Sequence, residues 1–296
     1  AKFQYFRAET LVSRAARPAA YQAAAGAADP ADMLRRLELT GEQLADLVEH
    51  THRRGLHAIV SVFSVDLVDD AARLPWDAWK LASTDLVHRP LIERLAATDL
   101  PLLLSTGAAT LDEIAAAAEW LGDTPHLFLH CVSAYPTPDE HAALRALADM
   151  QTRWPRALGY SDHTLSLHTG GLAVAAGARL LEKHLTHDRH ARGPDHAASL
   201  DPGGFAEYVS FAHQAWTMLG PARKTVLPIE HDVRACSRQS LVTTAPLPAG
   251  TTLEPRHLTV KRPGTGIPPA ELAATLGRRL RRDVDADTPL TRADVA

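Results

Sequence analysis

The sequence predicts an α/β fold in which a parallel barrel is followed by a small β-rich module. Short apolar runs alternate with Ala- and Leu-rich helical stretches from residue 1 to about residue 220, a pattern typical of a parallel sheet. After Gly220 the helical periodicity stops, and short β segments separated by turns follow. The number of strand–helix units in the first part favours a barrel.

Seven segments of the first part have the length and apolar character of barrel strands. We predict strands at 1–6, 56–62, 78–82, 100–104, 126–131, 156–159 and 179–185. Helical patterns lie between them, including 111–121, 142–153 and 205–218. Thr110 followed by Glu113 is a capping-box pattern, which predicts a helix that begins directly after a short loop. A closed barrel of this kind has eight strands, so the seven predicted strands are one too few to close it.

The sequence pattern changes in the last part of the chain. Pro221, Pro228 and a run of mixed charges indicate a linker at 221–236. Two β segments, at 239–244 and 258–260, alternate with Gly- and Pro-containing turns. We therefore predict a barrel domain at 1–220, the linker, and a small domain at 237–296. A unit of this size has a marginal core, so we expect it to rest on a partner surface.

Composition excludes several functional classes. The chain has 296 residues and a net charge of −4, which gives no basic footprint for nucleic acid or for a membrane surface. We find no apolar stretch of membrane-spanning length and no signal peptide. Cys131 and Cys236 are the only cysteines, so a disulfide framework is not expected and a reducing, cytoplasmic location is favoured.

Two histidines about twenty residues apart carry the strongest chemical signal. His163 lies in a Gly-Tyr-Ser-Asp-His-Thr run and His184 in a Leu-Glu-Lys-His run, each at the end of an apolar segment. Strand ends on one rim of a parallel barrel are where catalytic groups lie. With Asp162, Glu182 and Asp195 close in sequence, the pair predicts a divalent metal site with open positions. The alternative is that both are hydrogen-bonded core histidines; two in matched polar motifs favour the metal site.

Lysines and small polar residues follow other predicted strands. Lys2 and Gln4 share one strand face because side chains alternate along a strand. Lys80 and Ser83 end another strand, and residues 105–107 (Ser-Thr-Gly) end a third. Together they suit a ligand that carries both phosphate and carboxylate groups. The alternative interpretation of each lysine, considered alone, is an ordinary charged residue on the surface.

The fifth predicted strand leads into a proline-stiffened loop. Pro136 and Pro138 restrict this loop and hold Ser133 and Tyr135 toward the barrel mouth. Cys131 has no cationic neighbour in sequence, so a buried structural thiol is favoured over a nucleophile.

The Gly- and Pro-containing segment 189–196 follows the last predicted strand. It either folds over the site and brings Asp195 to a polyhydroxy substrate or is a mobile loop. Composition alone does not separate these two interpretations.

Several motifs together carry a family resemblance. GYSDHT, EKHLT, GPDHAASL, HCVSAYPTP, LSTG and the late LTVKRPGTGI occur along the chain, and jointly the sequence resembles the sialic acid synthase family. The resemblance implies a TIM (β/α)8-type barrel, here lacking its first βα unit, with a C-terminal antifreeze-like (SAF) domain. Such enzymes condense phosphoenolpyruvate with N-acetylmannosamine or a related amino sugar to give a nine-carbon nonulosonic acid, and phosphate leaves.

The resemblance also implies roles for particular residues. His163 and His184 would bind manganese, with magnesium or cobalt as alternatives. The residues that would hold phosphoenolpyruvate are Lys2, Lys80, Ser83, Ser133 and Ser161. Those that would face the sugar or the reacting centre are Gln4, Tyr135, Glu182 and Asp195, with Glu182 and Tyr135 as the catalytic pair. Arg262 would come from the SAF domain of a partner subunit and hold the N-acyl group, which implies a domain-swapped homodimer.

The chain also departs from the family pattern. The opening strand and helix, with an acidic residue expected in the site, have no counterpart, and the sequence begins at what resembles the second strand. Val62 stands where the family has a hydroxyl expected to contact phosphoenolpyruvate, and Ser64 stands where it has an aromatic wall. Ser133 and Thr84 replace the Asn and Gly of many relatives. These differences predict a truncated or divergent member.

Four functions remain to be weighed. The leading hypothesis is a nonulosonic acid synthase. The main alternative is a catalytically impaired relative that only binds sugar or phosphate ligands or serves as an assembly partner. A third is a phosphoenolpyruvate aldol-type synthase that acts on another aldose. A metal-dependent hydrolase on the same barrel would leave the lysines and the terminal module unexplained.

Overall fold

The computed structural model describes residues 1–24 and 26–296. They form two compact units, Ala1–Gly220 and Pro221–Ala296. Each unit has its own cluster of buried hydrophobic side chains. Within these described ranges, no helix combines the length and the apolar character needed to cross a membrane.

The first unit is built on a seven-stranded parallel sheet whose strands are hydrogen-bonded in chain order. The strands are Lys2–Tyr5 (β1), Ile59–Val62 (β2), Ala78–Leu81 (β3), Leu102–Ser105 (β4), His126–Cys131 (β5), Leu158–Asp162 (β6) and Ala178–Lys183 (β7). The predicted α/β class, with a parallel sheet one strand short of a closed barrel, is confirmed for the described residues. Several boundaries differ by one to three residues. Strand β2 begins at Ile59, three residues after the predicted start, and β7 ends at Lys183, two residues before the predicted end. Strand β6 extends to Asp162, three residues beyond the predicted end, because its polar last residues continue the ladder with β7.

Ten helices of the first unit lie in the described ranges. They are Ala8–Leu11 (α1), Ala20–Ala24 (α2), Pro30–Arg35 (α3), Gly41–Arg53 (α4), Val68–Ala71 (α5), Arg89–Ala96 (α6), Leu111–Leu121 (α7), Ala146–Arg153 (α8), Thr169–Ala175 (α9) and Pro202–Leu219 (α10). The predicted capping box at α7 is present: Thr110 Oγ1 accepts from the Glu113 N–H, and the Glu113 carboxylate accepts from the Thr110 N–H. The short helices α1 to α3 lie between the first two strands, where we predicted helical patterns without assigning residue bounds.

Alternation along the strands divides polar from apolar side chains. Trp79 and Tyr160 belong to the buried hydrophobic cluster of this unit. Their strand neighbours Lys80 and Ser161 point to the opposite side of the sheet, as the two-residue period of a strand requires. Polar groups on that inner side therefore collect near the carboxyl ends of the strands.

Two glycines bring the last helices of the first unit close together. A Cβ atom at Gly170 of α9 would overlap the ring of Tyr208 in α10, and one at Gly171 would overlap the ring of Phe211. Only glycine leaves room for these rings, so α10 packs closely on α9, and α9 lies against β6 and β7.

The second unit contains an antiparallel pair of strands, Ser240–Thr243 (β8) and Leu258–Lys261 (β9). The predicted β-rich module is thereby confirmed, and its core includes Leu241, Ile267 and Leu290. Two helices accompany the pair, His231–Ser237 (α11) and Leu272–Thr275 (α12). All of helix α11 except its last residue lies in the segment 221–236, which we predicted as a linker without helix. Its side chains are almost all exposed, so it has no apolar stripe that the sequence pattern would reveal.

Candidate active site at the carboxyl end of the sheet

The two predicted histidines lie side by side. His163 directly follows β6 and His184 directly follows β7, and their ring centroids are 5.2 Å apart. The ring of Tyr135, in the loop after β5, lies 4.1 Å from the His163 ring and 5.9 Å from the His184 ring. Three adjacent strand ends thus present two imidazoles and one phenol to a common space.

The donor atoms of this pair fit a divalent metal ion. His163 Nδ1 donates to the Val132 carbonyl oxygen at 2.8 Å, which leaves the Nε2 lone pair free, as in most metal-binding histidines. Two imidazoles that share an ion through bonds of about 2.1 Å have ring centroids roughly 5 Å apart, close to the observed spacing. Among the residues that the structure describes, no set of three or more His, Cys, Asp or Glu side chains forms a metal-binding group. An ion here would take its other ligands from water or substrate.

The charge state of His184 also suits a metal ligand. Burial, reinforced by the charges of Lys2 and His163, lowers the pKa of His184 to about 3. The imidazole is therefore neutral at physiological pH, which is the form that binds metal.

Glu182 joins side chains from three other strands. Its carboxylate lies 3.4 Å from Lys2 Nζ of β1 and 3.7 Å from Lys80 Nζ of β3, and it accepts a 2.6 Å hydrogen bond from Ser161 Oγ of β6. Burial acts to raise the pKa of Glu182, but the two lysines and the serine outweigh it and hold the pKa well below its usual range. Glu182 is therefore an anion near neutral pH.

Lys80 is almost completely enclosed, with 4% of its surface exposed. Its ammonium group donates to Ser105 Oγ at 2.7 Å and to the Leu81 carbonyl oxygen at 2.6 Å. Burial lowers the pKa of Lys80, and Glu182 opposes that shift. Ser105, from the Ser-Thr-Gly run, is the hydroxyl that orients this lysine.

A small cradle forms around Gly107, made by Ser83, Gly107, Cys131 and Ser133. The Gly107 N–H donates to Ser83 Oγ at 3.0 Å. A Cβ atom at position 107 would overlap Ser133 Oγ and would lie 2.9 Å from Ser83 Oγ and 3.0 Å from Cys131 Sγ. The absence of a side chain at Gly107 thus lets two predicted substrate-binding serines from different strand ends converge, in an arrangement of small donors suited to an anion.

Cys131 has a partner that the sequence did not reveal. It is buried as expected, but its Sγ lies 3.7 Å from His163 Nδ1 and 3.5 Å from Ser83 Oγ. Burial acts to raise the pKa of Cys131, yet the neighbouring His163 outweighs it and lowers the pKa; the thiol in turn helps raise the pKa of His163 against its own burial. The thiol is buried, as expected, and its neighbour His163 follows the adjacent strand, so the residues beside Cys131 in sequence gave no sign of it.

Two further side chains border the histidines. Segment 189–196 folds back so that Asp195 Oδ2 lies 3.8 Å from His184 Nδ1. Tyr21 of α2 packs against Tyr135 with ring centroids 4.8 Å apart and ring planes inclined by 32°. Sequence reasoning missed Tyr21, since a single aromatic residue in an Ala-rich stretch carries no local signal of a site.

Gln4 and Arg262 lie outside this network of contacts. Gln4 is exposed and lies two residues beyond Lys2 on the same face of β1. Arg262 follows β9 in the second unit and is also exposed. Their substrate-binding roles stay predictions.

The structure corrects one expected departure from the family pattern. The Val62 side chain is 1% exposed and belongs to the hydrophobic cluster together with Val60, on the face opposite Lys80. Ser61, in register with Lys80, shares the inner face. The expectation that valine at position 62 removes an interior hydroxyl is wrong, because strand alternation turns that side chain away from the site.

Comparison with known proteins gives matches to two families. A model described as the NeuB family matches residues 1–224, and a model of the SAF domain matches residues 238–296. The two matches together span nearly the whole chain.

Named relatives and a solved structure agree with these matches. The chain is 33% identical to the N,N'-diacetyllegionaminic acid synthase of Legionella pneumophila, over 98% of this chain and 84% of the relative. It is 31% identical to the N-acetylneuraminate-9-phosphate synthase of Mus musculus, over 88% of this chain and 74% of the relative. The crystal structure of an N-acetylneuraminic acid synthetase from Leptospira borgpetersenii superposes with a TM-score of 0.71 at 26% identity, over 78% of each chain.

Proposed function

Because this chain belongs to the NeuB family, we propose that it condenses phosphoenolpyruvate with an N-acylated hexosamine of the N-acetylmannosamine type. The product is a nine-carbon nonulosonic acid, and inorganic phosphate is released. The enzyme is thus a transferase that forms a carbon–carbon bond. The observation that carries the proposal is the contact of Glu182 with Lys2 and Lys80 beside the His163–His184 pair.

The charges of the interior support an anionic substrate. Lys2 and Lys80 bring two ammonium groups to the single carboxylate of Glu182, so the lysines outnumber the carboxylate that they contact. The hydroxyls of Ser83 and Ser133 add neutral donors in the Gly107 cradle. Phosphoenolpyruvate, with one carboxylate and one phosphate, matches this set of donors.

His163 and His184 would hold the divalent ion, for which we propose manganese, with magnesium or cobalt as alternatives. When bound, such an ion polarises the aldehyde oxygen of the open-chain sugar as a Lewis acid. The Val132 carbonyl fixes the tautomer of His163, and burial keeps His184 neutral, so both imidazoles are prepared as ligands.

Glu182 and Tyr135 act at the reacting carbons. Attack by the methylene carbon of phosphoenolpyruvate leaves positive character on the carbon that bears phosphate, and the Glu182 carboxylate stabilises it electrostatically. Water adds at that carbon, and the tetrahedral intermediate collapses with loss of phosphate. Because its pKa is held low, Glu182 is not a proton donor at neutral pH. Burial raises the pKa of Tyr135, so its hydroxyl stays protonated and serves as a hydrogen-bond donor.

The sugar would be held from two sides. Asp195 and Gln4 offer groups that bind hydroxyls, and Asp195 lies beside His184. We further propose that Arg262 of a partner subunit binds the N-acyl group in a domain-swapped homodimer. Its exposed position after β9 in the SAF domain supports a role toward another chain.

A phosphate-release assay tests the proposed function. The full chain is incubated with manganese, phosphoenolpyruvate and a panel of amino sugars, and the product mass is determined. We expect phosphate release only with N-acylated hexosamines, and none with His163→Ala or His184→Ala. Release with unacylated aldoses alone would favour the aldol-type synthase on another aldose. Binding of phosphoenolpyruvate without turnover on any sugar would favour the catalytically impaired relative.

A further inference from the structure

A buried ion pair lies directly behind the two histidines. Asp162 immediately precedes His163, and Lys183 immediately precedes His184. Lys183 Nζ lies 3.1 Å from Asp162 Oδ2, and the side chains are 2% and 0% exposed. The two residues are partners in the β6–β7 ladder, and they point away from the side on which Ser161 and Glu182 meet.

The same two side chains also hold the turn that carries His163. Asp162 Oδ1 accepts from the Thr164 N–H at 2.8 Å, and Lys183 Nζ donates to the Thr164 carbonyl oxygen. The His163 carbonyl oxygen accepts from the Thr137 N–H at 2.9 Å. The backbone on each side of His163 is therefore tied to the residue that precedes His184.

Helix α10 closes this pair off from the outside. Lys183 Nζ lies 5.2 Å from the ring centroid of Tyr208, which packs against Gly170 of α9. Asp162 Oδ2 and the Tyr208 hydroxyl have no hydrogen-bond partner among the described residues, although Lys183 is in charge contact with the carboxylate. Both charges are thus enclosed.

A buried ion pair of this kind adds little to the stability of a fold. The free energy needed to remove two charges from water offsets most of the free energy gained from their attraction. Replacing a buried ion pair by apolar residues therefore often leaves the stability of a protein unchanged or increases it. A buried pair can instead select one geometry among several, and here it connects the two residues that precede the histidines.

We propose that Asp162 and Lys183 are positioning residues that set the spacing of His163 and His184 for a divalent cation. This inference rests on the proposed metal-binding function of the histidines. With the pair intact, the ends of β6 and β7 and the turn at Thr164 have one arrangement, and both rings face a common ion. Without it, the rings lose that fixed spacing while the fold remains.

Binding of Mn²⁺ alone, measured on the full chain without substrates, tests the inference. Free Mn²⁺ is followed by electron paramagnetic resonance for wild type, Asp162→Asn, Lys183→Met and the double variant, and for His163→Ala and His184→Ala. Asp294→Asn is the matched control, since it removes a 2.6 Å ion pair of a buried carboxylate with Arg282 in the second unit. Thermal unfolding in the presence of a chelator reports stability separately.

We expect each single variant to weaken Mn²⁺ binding by about 10- to 100-fold, the range found when groups that orient metal ligands are removed. The double variant should also bind Mn²⁺ at least about tenfold more weakly than wild type, but no more weakly than the single variant with the lower affinity, because the two charges act as one unit. The Asp294→Asn control should change stability but not affinity. If a single variant does not fold, the double variant supplies the test, since it leaves no unpaired buried charge.

The outcomes separate this inference from the proposed function. If wild type binds Mn²⁺ and His184→Ala does not, but the double variant binds as tightly as wild type, the positioning role is refuted and the metal site stands. If wild type binds no Mn²⁺, or if both histidine variants bind it unchanged, the proposed metal role and this inference fall together.

Discussion

Lys2 on the first strand and Glu182 on the last strand form an ion pair, with 3.4 Å between Nζ and Oε1. These strands are the two edges of the sheet, and in the described residues no backbone ladder joins them. The contact therefore shows that the sheet curls until its edges approach each other. Lys80, on the third strand, reaches the other oxygen of the same carboxylate. Curvature thus brings side chains from three separate strands into one charged site.

Removal of the Glu182 charge should impair the chemical step. In Glu182→Gln the side chain keeps its shape, but it no longer stabilises positive character at the phosphate-bearing carbon. We expect kcat to fall by about 100-fold or more, with a smaller change in KM for phosphoenolpyruvate. Steady-state phosphate release is the measurement, and the exposed Glu49→Gln variant is the control. An unchanged kcat would show that the carboxylate has only a structural role.

The Gly107 cradle should not tolerate a methyl group. In Gly107→Ala the new Cβ would overlap Ser133 Oγ and crowd Ser83 Oγ, so both serines must move. We expect phosphoenolpyruvate binding, measured by calorimetry, to weaken by about tenfold, equivalent to about 1.4 kcal/mol. Gly41→Ala is the matched control, because nothing lies within 4 Å of a Cβ at that position. Equal affinities of the two variants would exclude the cradle from the phosphoenolpyruvate site.

His184 gives stability a defined pH dependence. Its pKa falls from 6.5 in the unfolded chain to about 3 in the folded protein, mainly through burial. Below about pH 6.5 the His184 imidazole takes up a proton in the unfolded chain but not in the folded protein. This protonation stabilises the unfolded state relative to the folded state. The contribution of the neutral imidazole is therefore complete above pH 6.5 and is lost as the pH falls toward 3.

Urea unfolding of metal-free protein checks this expectation. We expect the free energy of unfolding to fall less steeply between about pH 6.5 and pH 4 in His184→Gln than in wild type, because the variant has no imidazole to protonate. Parallel curves for the two proteins would mean that His184 titrates equally in both states.

Tyr21 should influence the sugar more than phosphoenolpyruvate. Its ring packs against Tyr135 at 4.8 Å, on the side of the histidines bordered by Asp195. We expect Tyr21→Ala to raise KM for the amino sugar by about tenfold, and Tyr21→Phe to stay near wild type since the ring is kept. KM for phosphoenolpyruvate should change little in either variant. A rise in both KM values would indicate general distortion of the site instead.

Arg262 tests the proposed contribution of a second subunit. We expect Arg262→Ala to weaken use of N-acylated sugars by about tenfold or more while binding of phosphoenolpyruvate is kept. Arg256→Ala, an exposed arginine of the same unit, is the control. Equilibrium sedimentation should give a dimer for all three proteins. Equal loss for both substrates, or a monomeric active enzyme, would contradict the swapped-domain proposal.

Local periodicity made much of the fold predictable from the sequence. Apolar runs of strand length and the Thr110–Glu113 capping box are short-range signals, and each strand they predicted is present in the parallel sheet. The same periodicity placed His163 and His184 at neighbouring strand ends. Alternation along the strand also places the Ser61 and Val62 side chains on opposite faces of β2. The sequence alone predicts this, but the family motif drew attention to position 62.

By itself the sequence determined the α/β class, the order of the strands and the set of chemical groups at their ends. Only the tertiary structure decided which of those groups meet: Lys2 with Glu182, Cys131 with His163, and Tyr21 with Tyr135. The reason is physical, since periodicity specifies which face a side chain takes, whereas curvature of the sheet and folding of loops bring residues far apart in the chain into contact. A short sequence motif does not encode that curvature.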